Sequence, residues 1–85
     1  MKINVKYFAS VREAVGTGSE SLDVSGDVST VGAVRNLLAS RGGAWAEALG
    51  EGTAVRMACQ QLMCGPETPV DEGAEVAFFP PVTGG

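Results

Sequence analysis

At 85 residues and a net charge of −4, the chain is long enough for one small domain. A core of that size buries only a little more than ~60% of the surface exposed on unfolding, which holds a sheet and helix together but leaves little room for a deep catalytic cavity. An apolar fraction of 45% excludes disorder. Six scattered Lys and Arg on an acidic chain exclude phosphate-driven nucleic-acid binding, and no apolar run reaches the ~18 residues of a membrane span.

Lys2 to Phe8 alternates, with Ile3, Val5 and Tyr7 on one face and Lys2, Asn4, Lys6 and Phe8 on the other. That is a strand and not the continuous apolar stretch of a signal peptide, so the expected location is the cytoplasm. Ala9 to Val15 suits a helical turn closed by Gly16-Thr17-Gly18. Glu20 to Val24 reads as a second strand, antiparallel to the first. Ser29 or Thr30 is the expected N-cap of a helix with Val31, Val34, Leu37 and Leu38 at helical spacing, ended by Gly42-Gly43. A short helical piece follows over 44–49, with Trp45 and Leu49 on one face as packing residues.

Strands are expected at Ala54 to Cys59 and Gln61 to Cys64, then loops marked by Gly65-Pro66, Pro69 and Asp71-Glu72-Gly73. Glu75 to Phe79 forms the last strand before Pro80-Pro81 stops regular pairing. The order implies an α+β domain over 1–79, with about five strands and one main helix across one face, and a flexible tail over 80–85.

There is no histidine, so Ser/His/Asp and Cys/His triads are excluded. Cys59 and Cys64 form a C-x4-C without further soft ligands, which reads as small hydrophobes and not as a metal site. Strand parity places Phe8 on the wet face of the first strand. In the last strand Glu75 marks that face, which sets Ala77 and Phe79 outside and Val76 and Phe78 in the core. Two aromatics on one outer face read as a partner-binding patch. Met57 and Met63 would by default be core.

The chemistry is expected in the tail, Pro80-Pro81-Val82-Thr83-Gly84-Gly85. Prolines make a semi-rigid arm, and two glycines pass through a tunnel that any Cβ would block. The terminal carboxylate of Gly85, with a pKa of ~3.5, is ionised and a poor acyl donor, so it needs activation. Adenylation by ATP on a partner enzyme is the obvious route, since the chain has no phosphate-binding glycine motif.

The sequence resembles the small subunits of molybdopterin synthase, sulfur carriers of the ubiquitin-like β-grasp family, across nearly its full length. The resemblance is carried by the opening strand into Val11-Arg12-Glu13, by Val15-Gly16-Thr17, and by D-E-G-A-E-V-A-F-F-P-P-V-T-G-G from Asp71 to Gly85. It implies a β-grasp fold and a tail inserted into the large synthase subunit, in a heterotetramer of two small subunits flanking a large-subunit dimer. It further implies that Gly85 is adenylated by a ubiquitin-activating-type enzyme, which consumes the ATP, with no cofactor on this chain. A donor such as a cysteine desulfurase or a rhodanese would supply sulfur for a thiocarboxylate. That sulfur would pass to cyclic pyranopterin monophosphate to form the dithiolene of molybdopterin. Family interface positions fall on Phe8, Arg12, Met63 and Phe79, which moves Met63 outward. Gln60 stands where the family often has Asn, which puts the turn after the third strand in doubt. A carrier for thiamine or cysteine synthesis, or a protein modifier linked to lysines, shares the same kind of tail.

Overall fold

Alternation in the first strand carries directly into the sheet. In the computed structural model, in which residues 1–81 are described, β1 (Lys2–Tyr7) hides Ile3, Val5 and Tyr7 almost completely. It is followed by α1 (Ala9–Val15), β2 (Ser19–Asp23), α2 (Val31–Ala39) and α3 (Gly43–Leu49). β3 (Arg56–Cys59), β4 (Leu62–Cys64) and β5 (Glu75–Phe79) complete the described chain. The sheet order is β2-β1-β5-β3-β4, and among the described residues the β1–β5 pair is the one parallel ladder. β5 is therefore the middle strand.

The inner face of the sheet meets α2. Val31, Val34 and Leu38 lie one helical turn apart and are fully buried, against Ile3, Val5, Val76 and Phe78. Fully burying each such side chain is worth about 1.5–3 kcal/mol. Leu37, expected on the same face, is 38% exposed and sits at the stripe's edge. Thr30 caps the helix: its Oγ1 accepts from the Ala33 N–H at 3.1 Å. Loop carbonyls take two more first-turn donors, Val31 N–H to Thr68 O and Gly32 N–H to Pro66 O. Gly32 permits that approach, since a Cβ there would lie 2.8 Å from Pro66 Cβ.

The end of α2 differs from expectation. The helix stops at Ala39 with Ser40 as a right-handed C-cap, and Gly42, at φ 78°, opens α3 instead of closing α2. A Gly-Gly pair supplies the same backbone freedom to a stop and to a start, so its role was ambiguous in sequence. Arg35 closes α3 from a distance. Its Nε donates to Leu49 O at 2.7 Å, and its Nη2 donates to Gly50 O at 3.0 Å and Thr53 O at 2.7 Å. A lysine keeps the charge but not the planar fork. Arg35→Lys is expected to cost about 1–2 kcal/mol in urea unfolding, and Arg35→Ala about 2–4 kcal/mol, because partly buried carbonyls lose their donors.

A polar network ties the α2–α3 elbow to the sheet. Tyr7 donates its hydroxyl to Glu20 Oε2 at 2.8 Å, and Arg41 donates to both Glu20 oxygens at 2.8 and 2.9 Å. The Arg41 guanidinium covers the Trp45 ring at 4.4 Å, and Trp45 meets Tyr7 edge-on at 5.4 Å. Burial, then the Glu20 carboxylate, pushes the Tyr7 phenol up. The Arg41 hydrogen bonds hold Glu20 below its ordinary value of 4.5, against an opposing effect of burial. A carboxyl lowered on folding stabilises the fold above its unfolded pKa and loses that contribution as pH falls through the folded one. Unfolding measured from pH 7 downward should show acid sensitivity setting in below about pH 4.5. Glu20→Gln should flatten that part of the curve and cost about 1 kcal/mol at neutral pH.

Candidate functional site

Register fixes what the outer face presents. Lys6, Ala77, Ala58 and Met63 occupy one row across β1, β5, β3 and β4, and Arg56 stands opposite Phe79 in the next outward row. Phe8 is 46% exposed and Met63 60% exposed, while Phe79 is half-buried. Ala77 has the expected face but not the expected exposure. It is 8% exposed, because a methyl between Lys6 and Ala58 on the middle strand is covered by its neighbours. Ala58, at 9%, completes a flat apolar floor between the aromatic end and Met63. Lys6 Nζ lies 3.4 Å from Glu75 Oε1 and closes the floor on its polar side.

Phe8 is not part of β1, which ends at Tyr7. It is the extended N-cap of α1, and its N–H donates to Phe78 O at 3.1 Å, so the parallel register carries on for one residue. That bond extends the register by one residue, so position 8 falls on the outward side opposite position 79. Arg12, in α1, is exposed, and its guanidinium packs on Gly18, where a Cβ would lie 3.1 Å from Cζ and Nε. With Gly16 and Thr17 it borders an open depression of about 520 Å³. The structure thus brings Phe8, Phe79 and Met63 onto one face, with Arg12 at the rim beside the α1 turn.

The chain leaves the sheet at Phe79. Pro80 and Pro81 are half-buried, and Pro80 borders a groove of about 220 Å³ between α1 and α3, lined by Val11, Ala14, Ala48 and Val55. The arm therefore begins against the body of the domain. Val82, Thr83, Gly84 and Gly85, on which the sulfur chemistry was expected, lie outside the described residues.

Cys59 and Cys64 are free, half-buried and packed on the core. Burial, with smaller effects from Cys64 and Asp71, pushes the Cys59 thiol up and away from the reactive thiolate. Among the described residues no group of three or more metal-ligating side chains comes together, and no helix is long and apolar enough to cross a membrane. Gln60 does more than sequence suggested. Gln60 and Gln61, at φ 53° and 66°, form the two-residue turn between β3 and β4. The Gln60 N–H donates to Glu75 O, and its Oε1 accepts from Glu75 N–H, both at 2.8 Å. The longer amide reaches across to pin the start of β5.

A model of the ThiS family matches residues 5–85. The chain belongs to that family. Among relatives of this ThiS-family chain, the molybdopterin synthase sulfur carrier subunit of Escherichia coli is 45% identical over 83 residues, covering 98% of this chain and 99% of that protein. The solution structure of the Haloferax volcanii HVO 2177 protein superposes with a TM-score of 0.82 at 32% identity, covering 100% of this chain and 87% of that one. A complex of subunits 1 and 2 of the molybdopterin-converting factor from Helicobacter pylori contains a chain of the same fold, with a TM-score of 0.69, 20% identity and full coverage of both chains. The shared architecture is the ubiquitin-like β-grasp, as the resemblance implied.

Proposed function

We propose that the chain is the sulfur-carrier subunit of a molybdopterin synthase and that Gly85 carries the sulfur. The observation that carries this reading is the placement of the arm. The middle strand of the sheet ends in outward Phe79 beside Phe8, and the Pro-Pro arm toward Gly84-Gly85 departs from that aromatic edge. A partner that grips the outer face therefore receives the arm in the same embrace. The name and full-length coverage of the Escherichia coli relative support the same assignment.

The chemistry follows from the carboxylate. A Gly85 oxygen attacks the α-phosphate of ATP on a ubiquitin-activating-type enzyme, pyrophosphate leaves, and the acyl-adenylate forms. The persulfide of a cysteine desulfurase or rhodanese displaces AMP to form an acyl disulfide. A thiol reductant cleaves that disulfide, releasing the thiocarboxylate and leaving a disulfide on the donor. In the large synthase subunit the thiocarboxylate sulfur bonds to a carbon of cyclic pyranopterin monophosphate as an oxygen group leaves that carbon. Water hydrolyses the resulting thioester, leaving the sulfur on the pterin and restoring the carboxylate. Two small subunits on a large-subunit dimer complete the assembly. Phe8, Phe79 and Met63 serve as its apolar anchors, Arg12 lies at the rim, and Pro80, Pro81, Val82 and Thr83 carry the reactive end inward.

The test is intact mass. Incubated with ATP, a sulfur source and the activating enzyme, the chain should gain the mass of one sulfur in place of one oxygen. Conjugates to lysine without that change would instead make the chain a protein modifier.

A further inference from the structure

The charges of this chain are unevenly spread. Its net charge is −4, yet three of its six basic residues, Lys2, Lys6 and Arg56, occupy outward positions of the sheet. Arg35 and Arg41 are committed to α3 carbonyls and to Glu20, and Lys6 is paired with Glu75. Arg56 has no such commitment: among the described residues it makes neither an ion pair nor a side-chain hydrogen bond.

Its position gives that spare charge a meaning. Arg56 faces outward and stands directly opposite Phe79, where cross-strand side chains lie about 5 Å apart. Arg56 opens β3 at the end of the sheet from which Pro80 departs, and an arginine stem is long enough to extend the aromatic edge there. Covering Phe8 and Phe79 with a partner takes water from the guanidinium as well. Losing that water is unfavourable unless an anionic group replaces it. An apolar partner surface would be penalised there, and one with a carboxylate at that point would be favoured. The planar fork of arginine suits a bidentate carboxylate.

We propose that Arg56 is a docking residue for the large synthase subunit and pairs with a carboxylate on the rim of the surface that receives the outer sheet face. The proposal rests on the reading of this chain as the carrier subunit. It assigns Arg56 a role in partner choice: the face selects an acidic rim, although the chain as a whole would repel one.

The experiment is a titration of the full chain with the purified large subunit at low and high salt. Arg56→Glu is expected to weaken binding at least about tenfold at low salt and to approach the unmodified chain at high salt. Arg56→Met keeps the stem and should flatten the salt dependence with a smaller loss. Urea unfolding of both variants should match the parent, since Arg56 is exposed. Equal affinity and equal salt dependence for all three chains would overturn the pairing. So would a loss that is the same at every salt concentration, because it would report a clash and not a charge. If the unmodified chain itself fails to bind, the carrier reading falls first and this inference with it.

Discussion

Phe78→Ala is expected to cripple the fold, while its neighbour Phe79→Ala leaves the fold standing and weakens the complex. Phe78 is fully buried and faces inward, in register with Tyr7 on β1 and Met57 on β3. Truncating a buried phenylalanine removes about 3–5 kcal/mol. A domain of this size holds only about 5–15 kcal/mol in total, so the variant should melt far earlier or be partly unfolded at rest. Phe79 points the other way and is half-buried, so its truncation should cost the isolated chain about 1 kcal/mol or less. As an anchor beside Phe8 it should cost the complex about 2 kcal/mol or more, roughly thirtyfold in affinity. Urea unfolding and a binding titration on both variants separate the effects. A mild Phe78→Ala with a severe Phe79→Ala in unfolding would place β5 one residue out of register and reverse every inward and outward assignment in it.

The second large effect is in the arm. Deleting Gly85 should abolish thiocarboxylate formation, since it leaves Gly84 to present a carboxylate one residue short of the adenylation site. Gly84→Ala is the finer probe. On the proposed reading it adds one methyl where a tunnel fitted to bare backbone has no room. Its melting temperature should equal that of the parent, while synthase turnover falls tenfold or more by an order-of-magnitude argument from misplacement of a reacting group. Normal turnover with Gly84→Ala would mean a wide channel, and normal turnover without Gly85 would mean that the position of the terminal carboxylate is not critical and that Gly85 is not the required carrier.

Most of this architecture was legible because polar and apolar residues alternate cleanly in β1, and one polar residue, Glu75, sets the phase of the otherwise apolar β5. Lys2, Asn4 and Lys6 fix one face, Glu75 fixes the other strand to it, and Phe8 and Phe79 follow by parity alone. The features that were not legible depend on contacts far apart in sequence. Nothing near Arg35 announces that it will cap a helix ending at Leu49, because the carbonyls it reaches lie in the next element. Gln60 looked like a poor turn residue, and its local conformation is indeed an uncommon one for a non-glycine residue. What offsets that cost is a pair of hydrogen bonds to Glu75, fifteen residues on. Ala77 shows the complementary limit: parity tells which face a residue occupies, but strand order decides whether neighbours cover it.

The central place of β5 in the sheet has a mechanical consequence. A partner that draws the arm into a tunnel pulls on β5 along its own axis. β5 is bonded on both sides, to β1 and to β3. Tension applied at Phe79 therefore loads both ladders in shear, so several hydrogen bonds must yield together, whereas an edge strand pulled sideways would unzip them one by one. The core residue Phe78 sits directly behind the point of pull and resists its withdrawal. The body is thus built to withstand a pull on its C-terminal strand along that strand's axis.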